Sequence, residues 1–258
     1  MRYAYVTVLS TDNYYEGVIA LFESLKKTNP KYNNFVVVVN ETINKKIITK
    51  FELYGYTIIR RNKIEASFVR NDSYEYWVNT FDKLNVFSLV EFDKIVYLDS
   101  DMYIAKNIDE LFSKPHMSCV IAGKRYVNSW KKLGSGLMVI EPEFGLVEKL
   151  LYVLYHEKFD KDIGDQDVIE KYYDWANNND GLILSENYNL FIDLVDYYID
   201  NLGFSRNSIA VVHFIGNIKP WMLNENEIEK YRYNLIKNDK KNQLYYFDKY
   251  LELIKDIV

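Results

Sequence analysis

The feature that most constrains the fold is the alternation of unbroken apolar segments with amphipathic segments over the first hundred residues. The apolar segments have the length and composition of buried β-strands, and the segments between them space their apolar residues as helices do. The predicted strands are 3–9, 35–39, 57–59 and 95–98, and the predicted helices are 15–27, 43–53 and 78–90. Because strands without polar alternation are covered on both faces, this order predicts an α/β fold with a mainly parallel sheet. A ligand crevice is then expected at the carboxyl ends of the strands.

Length, charge and cysteine content narrow the class of protein. The 258 residues fit one large domain or two closely joined small ones. A formal net charge of −5 argues against a general nucleic-acid-binding protein, which would need excess positive charge to bind phosphates. The single cysteine, Cys119, lies in an apolar run and is predicted to be a buried structural thiol. The sequence shows neither a signal peptide nor an apolar run long enough for a membrane helix, so we expect a cytoplasmic location.

The rest of the chain is less regular. Strands are predicted at 137–140 and 210–214, helices at 144–156 and 167–175, and a charged, helix-prone tail at 223–258. We expect one compact domain at 1–222, with a nucleotide-type half at 1–105 and an acceptor-type half at 106–222. We expect the tail to pack on this domain, with homodimerisation and peripheral membrane contact as the other roles left open.

An acidic pair follows the fourth predicted strand directly, in the sequence Asp99-Ser100-Asp101. Residues two apart in a strand point to one face, so the two carboxylates can converge there. At about 4 Å they repel by roughly 1–4 kcal/mol, a repulsion that a hard divalent cation turns into a binding site. The spacing alone leaves two interpretations open, a metal site and a solvated strand end.

A second dense segment lies at 211–221. His213 follows a β-branched pair, and a neutral imidazole is a competent third ligand for Mn²⁺ beside two carboxylates. Gly216 lets the backbone come close to a ligand, and Lys219 offers a charge to a phosphate. Taken alone, His213 also fits a hydrogen-bonded histidine of the core.

Together these segments resemble glycosyltransferase family 8, the group that contains glycogenin and galactinol synthase. The resemblance runs in order along most of residues 3–221. It rests on segments 6–14, 81–84, 97–101, 107–112, 134–142, 164–166, 188–190, 213–216 and 219–221, together with Gly17. No single motif decides it, but their ordered spacing is specific.

The resemblance implies a retaining transferase with a GT-A fold that uses a UDP-sugar and Mn²⁺, with Mg²⁺ as an alternative. Its implied metal ligands are Asp99, Asp101 and His213. Its implied nucleotide-binding residues are Leu9, Thr11 and Tyr14 around uracil and ribose, with Ser100 at the motif and Gly216 and Lys219 at the diphosphate. Its implied residues for the donor sugar and the chemical step are Lys83, Ser135, Asp165 and Gln166.

The chemical step and the donor are less constrained. Double displacement would need a carboxylate nucleophile, and Asp165 is the nearest candidate. Because the resemblance assigns Asp165 to donor-sugar binding, front-face attack by the acceptor hydroxyl is favoured. Gly134 stands where glycogenin-like sequences have Asn, which puts one sugar contact in doubt. UDP-glucose or UDP-galactose is the favoured donor. Tyr197 and Tyr198 lie in a poorly matching region, so self-glycosylation is not predicted.

The acceptor is expected to be a hydroxyl of a polysaccharide, a lipid-linked oligosaccharide, a protein or a small polyol. Two other classes of function stay open. A haloacid-dehalogenase-type phosphatase would use Asp99 as its nucleophile, but Tyr103 stands where that class has Thr or Val. A non-catalytic sugar-binding module would use aromatic side chains as stacking platforms, and would leave the charged cluster without a role.

Overall fold

The computed structural model describes residues 1–66, 75–121, 123–159 and 162–255, with no account of the side chains of 75–78. Its chain divides into two compact units. The first comprises Met1–Tyr15, Tyr32–Asp99 and Asp109–Ser185. The second comprises Glu16–Lys31, Ser100–Ile108 and Glu186–Val258.

The strands and helices follow the predicted alternation in the first half of the chain. The strands are β1 Tyr3–Leu9, β2 Phe35–Val39, β3 Thr57–Arg60, β4 Lys94–Leu98, β5 Met102–Ile104, β6 Ser118–Val120, β7 Gly134–Ile140, β8 Leu190–Phe191 and β9 Val211–His213. The α-helices are α1 Tyr15–Lys26, α2 Lys45–Leu53, α3 Leu146–His156, α4 Asp165–Tyr173, α5 Val195–Leu202, α6 Glu225–Lys237 and α7 Lys241–Lys255.

The first unit is built on a six-stranded sheet in the order β3-β2-β1-β4-β7-β6. The first four of these strands are parallel to one another, while β7 runs antiparallel to both β4 and β6. The predicted mixed, mainly parallel α/β sheet is therefore confirmed. All five residues of β2 are buried, which is why that segment is apolar throughout.

A long 3₁₀ helix, Glu75–Ser88, occupies the place of the predicted helix 78–90. A 3₁₀ helix has three residues per turn, so residues spaced by three lie on one face. Phe81, Leu84 and Phe87 have this spacing, and all three are fully buried in the core of the first unit. Their spacing suits this tighter helix as well as it suits an α-helix.

The strand predicted at 137–140 begins three residues earlier, because the glycine-rich segment 134–136 also belongs to β7. Val120 of β6 pairs with Gly134, and the backbone N–H of Asp99 donates to the Gly136 carbonyl at 2.8 Å. The hydrogen bonds supplied from both sides outweigh the weak strand preference of glycine, because unpaired buried backbone groups are costly. Ser135 is thereby fixed on a rigid element.

The second unit contains a three-stranded sheet in the order β5-β9-β8, with α1 and the C-terminal helices α5, α6 and α7. The predicted helical tail is confirmed over α6 and α7, and residues 256–258 lie outside the described residues. Its packing is also as expected, because α7 buries Tyr246, Phe247, Tyr250 and Leu251 within the unit. Full burial of such side chains contributes about 1.5–3 kcal/mol each.

Candidate active site

The carboxyl end of β1 leads into the predicted nucleotide-binding turn. The side chain of Leu9 is fully buried, so Leu9 can offer a ligand only its backbone. Thr11 and Tyr14 lie at a short 3₁₀ turn, where the Tyr14 N–H donates to the Thr11 carbonyl at 3.3 Å. Both side chains are partly exposed, as contact with a base and a ribose requires.

Two buried polar residues tie this turn to its neighbours. Asn40, just after β2, donates from Nδ2 to the Ser10 carbonyl at 3.0 Å and to the Asp82 carboxylate at 2.7 Å. The other oxygen of Asp82 accepts from the Ile64 N–H at 2.7 Å. Sequence reasoning missed this bridge, and the only signal for it was an acidic residue inside an apolar helical face.

Lys83 lies at the centre of a buried cluster in the first unit. Its ammonium is 2.8 Å from Asp165, 3.0 Å from Asp99 and 3.2 Å from the Ser135 hydroxyl. The Ser135 N–H in turn donates to Gln166 Oε1 at 3.3 Å. Burial disfavours the ammonium, but the adjacent Asp165 and Asp99 outweigh it and raise the pKa of Lys83. Lys83 thus supplies a fixed positive charge, around which the other three predicted donor-sugar residues and one predicted metal ligand are grouped.

The second unit holds another buried charged cluster, centred on Asp101. Because β5 pairs antiparallel to β9, with Met102 opposite His213, Asp101 lies beside the histidine. Asp101 Oδ1 is 3.0 Å from His213 Nε2, and Asp101 Oδ2 is 2.5 Å from Lys219 Nζ. Burial opposes the charge on Asp101, but His213 and Lys219 hold the pKa of its carboxyl well below the usual range.

A hydrogen bond from the other ring nitrogen orients His213. His213 Nδ1 is 2.9 Å from Asn189 Oδ1, an acceptor, so Nδ1 carries the proton. In the neutral ring this leaves the Nε2 lone pair facing the Asp101 carboxylate. Two acceptors 3.0 Å apart need a cation or a proton between them. The residues therefore fit a metal ion, and Asn189 is a member of the site to which the sequence assigned no role.

Asp99 is the third predicted metal ligand, and only one residue separates it from Asp101 in the chain. The Tyr97 hydroxyl donates to Asp99 at 2.7 Å, which orients the carboxylate at the end of β4. Ser100 lies in the connecting turn and is partly exposed.

The loop after β9 carries the predicted diphosphate-binding residues. Gly216 is exposed, with a φ of 79° that favours glycine, and no atom of the described residues lies within 4 Å of where its Cβ would be. Lys219 is buried, and its ammonium also donates to the Phe214 carbonyl at 2.6 Å. The loop thus combines an accessible backbone with a cation held in place.

The model of Glycosyl transferase family 8 matches residues 5–134, half of the chain. This chain belongs to that family. Mouse (Mus musculus) glycogenin-1 is 29% identical over 224 residues, covering 84% of this chain and 65% of glycogenin-1. An Arabidopsis thaliana protein named putative UDP-glucuronate:xylan alpha-glucuronosyltransferase 5 is 29% identical over 226 residues. This chain spans 36% of that plant protein's length.

Among solved structures, the galactosyltransferase LgtC in complex with donor and acceptor sugar analogues is similar in fold. The TM-score is 0.67 at 16% identity, over 98% of this chain and 95% of LgtC. The family 8 chain therefore has the predicted GT-A fold. Nothing in the matches supports the phosphatase or the non-catalytic sugar-binding alternative.

Cys119 is fully buried, its thiol faces the Met117 carbonyl, and burial raises the pKa of that thiol, as expected of a structural cysteine. No helix within the described residues is long and apolar enough to cross a bilayer.

Proposed function

We propose that this family 8 chain is a retaining, metal-dependent hexosyltransferase that moves a sugar from a UDP-sugar to a hydroxyl acceptor. The observation that carries the proposal is the arrangement of Asp101, His213 and Asn189. Asn189 orients the His213 ring so that its Nε2 atom faces a buried carboxylate, as in a pair of metal ligands.

Asp99, Asp101 and His213 are the proposed ligands of one divalent ion, Mn²⁺ or Mg²⁺. Two carboxylates and one imidazole suit Mn²⁺ and leave positions open for phosphate oxygens. Such an ion, when bound, supplies Lewis-acid stabilisation of the departing diphosphate. Lys219 and the Gly216 backbone are proposed to add fixed positive charge at the diphosphate. Leu9, Thr11, Tyr14 and Ser100 are proposed to hold the nucleoside part.

Lys83, Ser135, Asp165 and Gln166 are proposed to orient the hydroxyl groups of the donor sugar. The Lys83 ammonium makes Asp165 a strongly paired carboxylate, and a paired carboxylate is a weak nucleophile. Front-face attack is therefore favoured: the acceptor oxygen bonds to the anomeric carbon as the bond from that carbon to the diphosphate breaks. The acceptor proton passes to the departing phosphate oxygen.

The residues of the site and the names of similar proteins narrow the choice of donor and acceptor. UDP-glucose or UDP-galactose is the proposed donor, and UDP-glucuronate belongs in the comparison because of the plant relative's name. A glycan or glycoconjugate hydroxyl is the proposed acceptor, and a cytoplasmic location stays a prediction. Release of UDP from a panel of UDP-glucose, UDP-galactose, their N-acetyl forms and UDP-glucuronate would identify the donor.

Calorimetry with UDP, with and without Mn²⁺, tests the proposed function. We expect UDP to bind to the unmodified protein only when Mn²⁺ is present. We expect the variant Asp101→Asn to lose this Mn²⁺-dependent binding of UDP. Asp239→Asn is the matched control, since Asp239 is exposed and lies outside both clusters. UDP binding that ignores Mn²⁺, or no UDP binding, would contradict the proposal.

A further inference from the structure

One tyrosine of the C-terminal helix α7 contacts loop 214–221, the loop that follows β9. Tyr250 lies on α7, beyond the residues that the family model matches and beyond the last motif of the family resemblance. Its side chain is fully buried, and its hydroxyl has no hydrogen-bond partner among the described atoms. Burial of a hydroxyl without a hydrogen bond lowers the stability of the folded protein. The contribution of Tyr250 must therefore come from its ring.

The ring of Tyr250 touches both ends of the loop that follows β9. It packs edge-on against Phe214, with ring centres 4.8 Å apart, and stacks on Trp221 at 5.8 Å with an interplanar angle of 27°. Phe214 directly follows His213, and Trp221 comes two residues after Lys219. A single side chain therefore holds the two residues that bracket Gly216 and Lys219.

The contacts continue from the loop to the acidic segment. The outer edge of Trp221 lies against Gly17 of α1, where an added Cβ would be 2.9 Å from the indole ring. The same Cβ position is 2.7 Å from the Ser100 carbonyl oxygen. A continuous path of packed groups thus runs from α7 through Trp221 and α1 to Ser100, one residue from Asp101.

We propose that Tyr250 is a positioning residue for donor binding, and that the C-terminal helix belongs to the transferase machinery. The Tyr250 ring fixes both ends of loop 214–221, so that His213 and Lys219 each lie against one oxygen of the Asp101 carboxylate. This role rests on the proposed function of that cluster. The ring supplies these contacts, while the buried hydroxyl has no hydrogen-bond partner in the described part of the chain.

Hydrogen–deuterium exchange of loop 214–221 tests the positioning directly. We expect Tyr250→Ala to speed exchange of these amides by at least about tenfold, and Tyr250→Phe to leave them unchanged. Tyr246→Ala is the matched control, because Tyr246 is an equally buried tyrosine on α7 whose ring contacts are with Tyr103 and Tyr245. Equal acceleration in both alanine variants, or none in Tyr250→Ala, would refute the role of Tyr250.

Affinity for UDP with Mn²⁺ provides the functional measurement, normalised to the folded fraction seen by circular dichroism. We expect Tyr250→Ala to weaken this affinity at least about tenfold, with Tyr250→Phe restoring it and Tyr246→Ala retaining it. If the unmodified protein binds no UDP, the proposed function fails while the exchange experiment still decides the role of Tyr250. If UDP binds but Tyr250→Ala binds it equally well, the functional role of Tyr250 is refuted alone.

Discussion

The ammonium of Lys219 lies 2.5 Å from the carboxylate of Asp101, and both side chains are buried. Lys219 thus neutralises a carboxylate that we assign to a metal ion. If the proposed ion binds, Asp101 would gain a second cationic partner, and we expect the charge of Lys219 to become available to the proposed diphosphate. The two cations are therefore expected to repel until the diphosphate is present, which makes metal and nucleotide binding mutually dependent.

The variant Lys219→Met tests this dependence. We expect Mn²⁺ alone to bind more tightly than in the unmodified protein, because the competing ammonium is gone. UDP with Mn²⁺ should bind about 10- to 100-fold more weakly, the value of a charged hydrogen bond. Calorimetric titration with each ligand measures both changes. Loss of affinity for both ligands would mean instead that Lys219 only maintains the fold of the site.

Asp165→Asn separates the two chemical routes. The amide keeps the shape of the carboxylate and one acceptor for Lys83, but it is a poor nucleophile. If attack is front-face, most of the turnover survives, with losses mainly in sugar affinity. A nucleophile would lose on the order of 10⁴-fold or more in kcat. Measurement of kcat for UDP release decides between these results, and the larger loss would establish double displacement through Asp165.

Gly17→Ala tests the close approach of α1 to the acidic segment. The added methyl group would lie 2.7 Å from the Ser100 carbonyl oxygen, closer than carbon and oxygen tolerate, so the segment carrying Asp101 must move. We expect a loss of stability of about 1–3 kcal/mol and weaker Mn²⁺-dependent UDP binding. Gly203→Ala is the control, since it strains a positive φ at a position where no described atom lies within 4 Å of the added Cβ. Unchanged UDP affinity in Gly17→Ala would show that the contact is not coupled to the site.

Asp82 is expected to make the stability of the folded protein depend on pH, with a sign that follows from its raised pKa. Burial raises the pKa of Asp82 above its usual 3.8, against the hydrogen bonds from Ile64 and Asn40 that lower it. Between the usual and the raised value the folded state binds more proton than the unfolded state, so stability increases as the pH falls through that window. Urea denaturation from neutral pH downwards should show the unmodified protein gaining stability relative to Asp82→Asn. A constant difference between the two proteins would contradict the raised pKa.

The sequence predicted the larger sheet well and the smaller sheet poorly, for a physical reason. The strands β1, β2 and β4 are buried on both faces, and so they stand out as apolar runs. The strands β5 and β8 have three and two residues, too few for any periodicity, and they pair with residues far along the chain. Helix type at Glu75–Ser88 was likewise undetermined, because a spacing of three suits both kinds of helix.

The site divides in the same way. Asp99 and Asp101 were visible because they follow a buried strand, and His213 because it ends one. The bond between His213 and Asn189 and the pairing of Lys219 with Asp101 join residues 24 and 118 positions apart. Contacts of that separation depend on the packed unit, so local patterns indicated the ligands but not their orientation.

The burial of Cys119 makes the chain a convenient subject for spectroscopic labelling. Its thiol is inaccessible and mostly protonated, so it should resist maleimide reagents in the folded protein. A cysteine introduced at Tyr233, which is 64% exposed on α6, would then be the single reactive thiol. A fluorophore or spin label placed there would report on the C-terminal helices during turnover without prior removal of the native cysteine.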